Sequence, residues 1–427
     1  MSDYVKWFRH STPYINSHRD RIFVVLLPGE AIAHPNFNNI MNDVMLLNSV
    51  GVRLVLVHGS RPQIEERLSK QGLSSRYHND LRITDSDTLG CVMDAVGSLR
   101  IGIEARLCTL AGQGSRLRVV SGNFVTAKPI GVLDGVDLHH TGEVRRIDRK
   151  GISRQLDEGS IVLLSSIGYS PTGEVFNLAC EDVATSVASA LDADKLILLG
   201  PDIGIFDPSG QLLRELKPSR AQALLPTLGS SLPGALLSAA CKACNNGLSR
   251  SHIISYADDG ALLTELFTRD GSGTLVTQEP FEKIRTATVD DVAGLLELLQ
   301  PLEEAGILVR RSREMLETEV GQFTLIERDG SIIGCAALYP LDETSAELAC
   351  VAIHADYRHG GRGDQLLEHI EAQARQLAIT TLFVLTTRTA HWFRERGFEP
   401  SSVERLPKQR ASLYNYQRNS KVFEKAL

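Results

Sequence analysis

The sequence of 427 residues has little of what marks several specialised protein classes. Its charge is not basic, since 45 Lys and Arg stand against 52 Asp and Glu, and a nucleic-acid-binding protein would carry a basic surplus. No apolar run approaches the length of about 20 residues that crosses a bilayer, and residues 1–9 do not resemble a secretory signal. We therefore expect a cytoplasmic globular protein with neither a nucleic-acid partner nor a membrane partner.

Cysteine is also scarce, and the cysteines show neither a disulfide pattern nor a metal-binding pattern. The seven cysteines are odd in number and scattered, which fits reduced thiols better than a disulfide framework. Cys241 and Cys244 form a CxxC pair, but no second pair of cysteines or histidines follows at the spacing of a zinc site. The segment around them reads as helix, so we expect a structural role for both and no bound metal.

The first part of the chain alternates buried strands with helices. Continuous β-branched runs at residues 22–27, 53–57, 161–165 and 195–199 are typical of strands buried on both faces. This alternation predicts a doubly wound, mostly parallel α/β sheet, in which ligands bind at the carboxyl ends of the strands. A segment rich in Pro, Ser and Gly at residues 217–235 is expected to be a surface excursion.

After a break at residues 278–280 the order of elements changes, so a second domain is expected. Strands predicted at residues 323–327, 332–338 and 346–353 follow one another across short turns, which indicates antiparallel pairing in an α+β domain. The other elements predicted for this domain are strands at residues 284–288 and 382–385 and helices at residues 289–299, 312–320 and 390–396. A turn at Gly397 and Phe398 follows the last of these helices and leads into the last strand.

One loop of the second domain has the chemistry of an anion site. It follows the strand at residues 346–353 and reads Arg358, His359, Gly360, Gly361, Arg362, Gly363. An amphipathic helix begins there, and its first N–H groups lack intrahelical partners and lie at the positive end of the helix dipole. Glycine lets the backbone approach phosphate oxygens, and the two arginines add charged donors. The loop is predicted to hold a pyrophosphate.

The spacing R-x-x-G-x-G between an antiparallel strand and a helix resembles the GNAT superfamily of N-acetyltransferases, over residues 284–427. Segments at residues 307–314, 347–352 and 416–420, together with the first domain, resemble the bacterial N-acetylglutamate synthases over essentially the whole chain. The resemblance implies that acetyl-CoA donates its acetyl group to L-glutamate by direct attack in a ternary complex, without an acyl-enzyme, as the first step of arginine biosynthesis.

By this resemblance, Arg311 and Arg418 bind the two carboxylates of glutamate, for which the planar guanidinium is well suited. Val309, Ser420 and Cys350 complete the expected substrate site. The neighbouring arginines 310 and 313 are not chosen. The alternative interpretation of either arginine is a solvated surface charge.

The resemblance also implies roles in the chemical step. The backbone N–H of Cys350 would face the thioester oxygen, and Val351 and Ile353 on the same strand would contact acetyl-CoA. Glu347 is the candidate general base, acting through a water, with a salt-bridged structural glutamate as the alternative. Tyr414 or Tyr416 would protonate the leaving thiolate, and the sequence does not decide between them. The Cys350 thiol is not expected to be a nucleophile.

The first domain resembles the amino acid kinase fold, but it lacks the parts that transfer phosphate. Active members place a lysine in the first strand turn and a glycine triplet after the second strand. Here the first turn has no lysine, and the second reads His58, Gly59, Ser60, Arg61. Because phosphoryl transfer depends on such positioning and charge neutralisation, we expect an inactive kinase retained for regulation.

Residues 262–274 resemble the arginine-binding segment of arginine-sensitive kinases of this family. The resemblance implies that Glu265 and Gly271, with Lys195 and Tyr14, bind L-arginine as a feedback inhibitor. It also implies that an N-terminal helix at residues 1–20, carrying Trp7 and Phe8, joins subunits into a homo-oligomer, a hexamer in the family. The expected layout continues with the kinase-like regulatory domain at 21–278, a linker at 279–283 and the acetyltransferase domain at 284–427.

Two alternatives compete with this interpretation. One is an active amino acid kinase fused to an acetyltransferase. The missing lysine argues against this alternative, and ATP-dependent phosphorylation in an assay would support it. The other is an arginine sensor with an inactive transferase domain, which the intact loop and both carboxylate-binding arginines oppose.

Overall fold

The computed structural model describes residues 3–110, 117–268, 270–278, 282–328, 331–358 and 361–427, without the side chains of residues 3–10 and 356. The chain divides into two compact units, residues 1–279 and residues 280–427. Within the described residues, no helix is long and apolar enough to cross a membrane.

The first unit consists of α/β elements. Its helices are α1 (Asp3–His18), α2 (Gly29–Ala33), α3 (Phe37–Ser49), α4 (Arg61–Lys70), α5 (Ser86–Leu110), α6 (Arg149–Asp157), α7 (Cys180–Ala190), α8 (Pro218–Leu228), α9 (Leu232–Asn245) and α10 (Ala261–Phe267). Its strands are β1 (Ile22–Leu27), β2 (Arg53–His58), β3 (Tyr77–His78), β4 (Leu81–Arg82), β5 (Val119–Val120), β6 (Val125–Pro129), β7 (Val132–Leu133), β8 (Val136–Asp137), β9 (Gly142–Ile147), β10 (Ile161–Ser165), β11 (Ile167–Tyr169), β12 (Val175–Asn177), β13 (Lys195–Gly200), β14 (Glu215–Leu216), β15 (Arg250–Ser255) and β16 (Thr274–Thr277).

The main sheet of this unit has the strand order β14-β16-β15-β13-β1-β2-β10-β5. Neighbouring strands are parallel except for β15 and β16. Successive side chains of β1 enter different cores, because Val24 packs in one apolar cluster and Phe23 and Val25 pack in another. Both faces of the strand are therefore covered, and the predicted doubly wound sheet is confirmed.

A second sheet of this unit, with the order β12-β11-β6-β9, was not predicted. The predicted surface excursion at residues 217–235 is also wrong, because the segment contains α8 and the start of α9. Its Pro and Ser residues start helices: Pro218 is the first residue of α8, and the Ser231 side chain accepts a hydrogen bond from Gly234 N at the start of α9.

The second unit is an α+β unit. Its strands are β17 (Glu282–Thr286), β18 (Phe323–Arg328), β19 (Ser331–Pro340), β20 (Ser345–Ile353), β21 (Thr381–Thr386), β22 (Glu399–Ser401) and β23 (Lys421–Ala426), and its helices are α11 (Val292–Glu304), α12 (Arg313–Glu319), α13 (Arg362–Gln376), α14 (Ala390–Arg394) and α15 (Lys408–Ala411). The sheet has the order β17-β18-β19-β20-β21-β23-β22, and β20 and β21 are its parallel pair. Helix α13 packs on one face, and α11 and α12 pack on the other.

Two details of this sheet differ from the prediction. The strand predicted from residue 284 begins at Glu282. The strand after Gly397 and Phe398 is the short β22, and the last strand is β23, which lies between β21 and β22.

Candidate functional site

An irregularity interrupts β20 at Cys350. Pairing with β19 passes from Ala337↔Ala349 to Cys335↔Ala352, so two residues of β20 oppose one residue of β19. Cys350 has a φ of +51°, which is uncommon for a residue with a side chain. Such a bulge bends a strand and redirects its backbone groups, and it lies where the sequence predicts an oxyanion donor.

Strands β20 and β21 part just before this bulge. They pair from Ser345↔Thr381 to Leu348↔Val384, and both strands continue, to Ile353 and Thr386. Among the described residues, β20 and β21 form no further pairs beyond Leu348 and Val384. The edge of β20 that carries residues 349–353 is therefore available to bind an extended ligand through backbone groups.

The predicted pyrophosphate loop lies between β20 and α13. Gly361, with a φ of +74°, caps α13, and its carbonyl oxygen accepts hydrogen bonds from Asp364 N and Gln365 N at 3.0 Å each. Arg358 is exposed, whereas His359 and Gly360 lie outside the described residues.

The first turn of α13 is closely packed from one side. A Cβ at Gly363 would lie 3.0 Å from Trp392 Cζ2, so any larger residue would require the indole to shift. The Arg396 guanidinium stacks on Trp392 at 4.0 Å from the ring centroid and also donates a hydrogen bond to Asp364 Oδ1. Helix α14 thereby fixes the start of α13.

Arg362 has an acidic partner that the sequence did not predict. Its Nε donates to both oxygens of Glu282, at 3.0 and 2.9 Å, and its Nη2 donates to Oε1 at 2.6 Å. In this structure the Arg362 guanidinium binds the Glu282 carboxylate, so a phosphate would have to compete with Glu282 for its hydrogen bonds.

The structure brings Arg311 and Arg418 to one short segment. Arg311 Nη1 donates to the carbonyl oxygen of Val309 at 3.2 Å, and Arg418 Nη2 donates to that of Ile307. Val309 itself is 55% exposed. Two guanidinium groups from distant parts of the chain thus lie beside the same stretch of backbone.

The surroundings of Arg311 reach β20. The Arg311 guanidinium is close enough to the Cys350 thiol to act on its pKa, but burial dominates and raises that pKa to about 11. The Nε atom of Arg311 is buried and has no hydrogen-bond partner among the described residues. Tyr339 Oη donates to Glu319 Oε2 at 2.7 Å nearby, and burial raises the Tyr339 pKa. The raised pKa of Cys350 keeps its thiol protonated at neutral pH, and a protonated thiol is a poor nucleophile.

Glu347 is part of an ion pair. Arg410 Nε donates to its Oε2, and Arg410 Nη2 donates to its Oε1 at 3.0 Å. The side chains are 12% and 21% exposed, and the hydrogen bonds raise the Arg410 pKa. The structure therefore shows the ion pair that the alternative interpretation of Glu347 requires.

The two candidate tyrosines differ in their surroundings. Tyr414 is partly buried, and its Oη donates to the carbonyl oxygen of Ser420 at 2.6 Å. Tyr416 is 76% exposed, and its ring packs edge-on against that of Tyr414 at 4.9 Å between centroids. Tyr414 is thus held beside the segment that carries Arg418.

In the first unit, the turns after β1 and β2 pack tightly together. A Cβ at Gly59 would lie 3.1 Å from Gly29 N and 2.9 Å from Cys180 Sγ. Beside these turns is a cavity of about 170 Å³ that Arg61 and Glu181 help to line. Burial lowers the Arg61 pKa, but Glu181 and other acidic neighbours outweigh this effect and raise it. Two of the three expected glycines are thus replaced, one by Ser60 and one by Arg61 with its acidic neighbours.

The predicted arginine-binding residues Glu265 and Gly271 touch. A Cβ at Gly271, whose φ is +63°, would lie 2.6 Å from Glu265 Oε2. That oxygen accepts hydrogen bonds from Ser272 N at 2.6 Å and Gly273 N at 2.9 Å. The other carboxylate oxygen lies 2.6 Å from His252 Nδ1. Burial favours a raised Glu265 pKa, but these hydrogen bonds prevail and hold it well below its usual range.

His252 is a member of this cluster that the sequence did not predict. Its Nε2 is buried without a hydrogen-bond partner in the described part of the chain, and burial, with a smaller contribution from the charge of Lys195, lowers its pKa. The only sequence signal was its position on β15, ahead of the segment that carries Glu265.

The remaining predicted residues of the arginine site are Tyr14 and Lys195. Tyr14 packs in the apolar cluster that contains α10, and its ring lies 6.4 Å from that of His18. His18 Nε2 lies 2.7 Å from the carbonyl oxygen of Leu266 on α10. Lys195 Nζ lies 5.8 Å from the centroid of the Phe23 ring. The side chains of Trp7 and Phe8 lie outside the described residues.

The described residues contain no group of three or more His, Cys, Asp or Glu that could hold a metal ion. Cys241 and Cys244 are buried in α9, where burial raises the Cys241 pKa to about 11. A thiol that stays protonated is a poor metal ligand.

The fold and the sites define a class of protein: an acetyltransferase unit joined to a unit with the amino acid kinase fold. The amino acid kinase family model matches residues 21–255, and the acetyltransferase (GNAT) domain model matches residues 319–400. The chain is 69% identical to the amino-acid acetyltransferase of Ectopseudomonas mendocina over the whole of both proteins. It therefore belongs to the amino-acid acetyltransferase family, and the predicted fold class and enzyme class are confirmed.

Two solved structures are similar over the whole of both chains. One is N-acetylglutamate synthase from Neisseria gonorrhoeae complexed with coenzyme A and L-arginine, at 38% identity and a TM-score of 0.92. The other is the synthase of that organism complexed with coenzyme A and N-acetyl-glutamate, at 39% identity and a TM-score of 0.64.

Proposed function

We propose that this chain is an N-acetylglutamate synthase that transfers the acetyl group of acetyl-CoA to the amino group of L-glutamate. The amine nitrogen attacks the thioester carbonyl, the C–S bond breaks, and the products are N-acetyl-L-glutamate and CoA. The complexes of the 38–39% identical Neisseria gonorrhoeae enzyme with coenzyme A and N-acetyl-glutamate support this substrate pair.

The convergence of Arg311 and Arg418 on residues 307–309 is the observation that carries the choice of acceptor. L-Glutamate has two carboxylates, and each needs a fixed cation to offset the loss of its hydration. Two guanidinium groups held by backbone carbonyl oxygens are already oriented before the substrate binds, which lowers the ordering cost of binding. Val309 and Ser420 would line the same site.

The donor would lie along the parted edge of β20, with its pyrophosphate at the start of α13. Val351 and Ile353 both pack on the α13 side of the sheet, so the strand leads towards the loop. Gly361 caps α13, so the positive end of the helix dipole lies next to the loop. Arg358, being exposed, is free to approach the phosphates from solvent.

The chemistry would proceed by direct attack in a ternary complex. The Cys350 thiol is protonated, so an acyl-enzyme through this residue is not supported. Its backbone, at the bulge, would supply an N–H to the developing oxyanion. Glu347 would accept the amine proton through a water, and Tyr414 is favoured over the exposed Tyr416 as the acid because its hydroxyl is fixed beside Ser420.

We also propose that the first unit is a kinase-inactive regulatory domain that binds L-arginine as a feedback inhibitor of arginine biosynthesis. Contact between Glu265 and Gly271, with Lys195 acting on the same cluster, supports this site. Glu265 already accepts three strong hydrogen bonds here, so a guanidinium would add to or displace them. The hexamer formed through α1, the cytoplasmic location and the four-part domain layout stay predictions.

The deciding experiment follows CoA release by the full chain with acetyl-CoA and L-glutamate, with and without L-arginine. We expect turnover with glutamate and its reduction by arginine. Aspartate and glutamine serve as acceptor controls, because each changes one feature of the second carboxylate. Absence of glutamate-dependent CoA release would overturn the proposal in favour of a non-catalytic arginine sensor, and ATP-dependent phosphorylation would restore the kinase alternative.

A further inference from the structure

One carboxylate holds together the two sides of the predicted pyrophosphate loop. Besides Arg362, Glu282 also binds Arg328, whose Nη1 donates to Oε1 at 3.0 Å. The three side chains are between 14% and 22% exposed, so solvent screens this cluster only in part. Glu282 thus joins the first strand of the unit to the first residue of α13.

The cluster also includes the residue that precedes the loop. The guanidinium carbons of Arg328 and Arg362 each lie 5.3 Å from the centroid of the Tyr357 ring. Tyr357 closes the 3-10 turn at Ala355–Tyr357, and its N donates to the carbonyl oxygen of His354 at 2.9 Å. Glu282 therefore fixes, through two arginines, both Tyr357 immediately before the loop and Arg362 within it.

We propose that Glu282 is a positioning residue for acetyl-CoA binding, and that the Arg362 side chain serves the loop through Glu282 instead of binding phosphate itself. Arg362 would then contribute to the donor site through its backbone N–H at the first turn of α13, and Arg358 would be the cation that faces the pyrophosphate. This inference rests on the proposed donor site.

The two roles for Arg362 predict opposite effects of neutralising Glu282. If Glu282 positions the loop, Glu282→Gln replaces its charge-assisted hydrogen bonds with Arg362 and Arg328 by weaker neutral ones, so the loop shifts and CoA binds more weakly. If Arg362 binds phosphate directly, the same change removes a competing anion from its guanidinium, and CoA binds more tightly.

The experiment measures CoA binding to the full-length protein by titration calorimetry, together with both Michaelis constants. For Glu282→Gln we expect the Kd for CoA and the KM for acetyl-CoA to rise about tenfold, with the KM for glutamate unchanged. Glu327→Gln is the matched control. It removes a carboxylate that accepts from Arg285 Nε at 2.6 Å in the same pair of strands, β17 and β18, away from the loop. Tighter or unchanged CoA binding by Glu282→Gln overturns the proposal.

A second variant serves if Glu282→Gln does not fold. Arg362→Lys keeps the positive charge but loses the planar fork that binds both oxygens of Glu282. We expect weaker CoA binding, whereas a direct phosphate contact would largely survive, because lysine binds phosphate as a point charge. Since CoA binding is measured without turnover, these results remain valid if wild-type protein fails to acetylate glutamate, and that failure would count against the proposed function alone.

Discussion

The Glu347 carboxylate and the Arg410 guanidinium form an ion pair in which each carboxylate oxygen accepts one hydrogen bond. Arg410 lies on α15, far along the chain from β20, so the pair forms only in the folded unit. A carboxylate oxygen has more than one acceptor position, and the pair therefore leaves Glu347 able to bind a water. The ion pair is therefore compatible both with Glu347 as a general base and with Glu347 as a structural residue.

Substitution of Glu347 separates these roles. Because glutamine cannot accept the amine proton, Glu347→Gln should lower kcat by about 100-fold or more while leaving both KM values nearly unchanged. The side chain keeps its size and a carbonyl oxygen for Arg410. Glu424→Gln is the control, since Glu424 binds Arg405 in a comparable pair on β23. A lowered melting temperature with full kcat would mean that Glu347 is structural.

Removal of Arg418 tests the acceptor site. Arg418→Ala should raise the KM for glutamate by roughly 10- to 100-fold, because one carboxylate loses a charged partner, and should change the KM for acetyl-CoA far less. Arg313→Ala is the control, as Arg313 is exposed and pairs with Glu317 one turn along α12. An equal rise of both constants for Arg418→Ala would show that the substrate site is misassigned.

The Cys350 thiol gives a prediction that depends on pH. Burial raises its pKa to about 11, and a raised thiol pKa means that the nucleophilic thiolate is scarce at every lower pH. At pH 8, iodoacetamide should therefore label the exposed Cys108 and spare Cys350, with little loss of activity. Labelling of Cys350 should rise only as the pH approaches about 11.

The control for this labelling is Cys108→Ser, which should remove most of the modification at pH 8. Cys350→Ala should keep most of the activity, because the backbone N–H is the group proposed to act. Complete inactivation by Cys350→Ala in a protein with wild-type melting temperature would instead support a covalent role for the thiol.

The arginine site is tested at Gly271. Gly271→Ala adds a Cβ that would lie 2.6 Å from Glu265 Oε2, at a φ of +63° that favours glycine. We expect the concentration of arginine for half-maximal inhibition to rise at least about tenfold, with kcat in the absence of arginine unchanged. Gly210→Ala is a matched control, also at a positive φ but with open space around it. Unaltered inhibition by Gly271→Ala would place the arginine site elsewhere.

Much of the fold follows from local sequence because its strands are buried on both faces. The runs that form β1, β2, β10 and β13 are apolar at successive positions, and the structure has strands at each of them. The surface excursion predicted at residues 217–235 was wrong because Pro and Ser are typical both of loops and of helix starts. Which applies depends on the packing of α9 against β15 and β13, and this is not a local property.

The sites could be predicted only as far as a motif or a resemblance reached. The loop and the two arginines proposed to bind carboxylates come from such patterns. Glu282, Arg410 and His252 do not, because each acquires its role from a partner on another element. A charged residue in a strand or short helix has no sequence feature that distinguishes an ion pair from a solvated side chain.

The parting of β20 from β21 has a consequence for how this enzyme tolerates change. Main-chain groups that bind the donor along residues 349–353 would be retained by any side-chain replacement that fits the buried positions Cys350 and Ala352, provided that each residue keeps its register. Insertion or deletion of one residue between the bulge and Ile353 would instead exchange the two faces of the strand. In a library of variants, substitutions along this edge should therefore survive selection far more often than changes in its length.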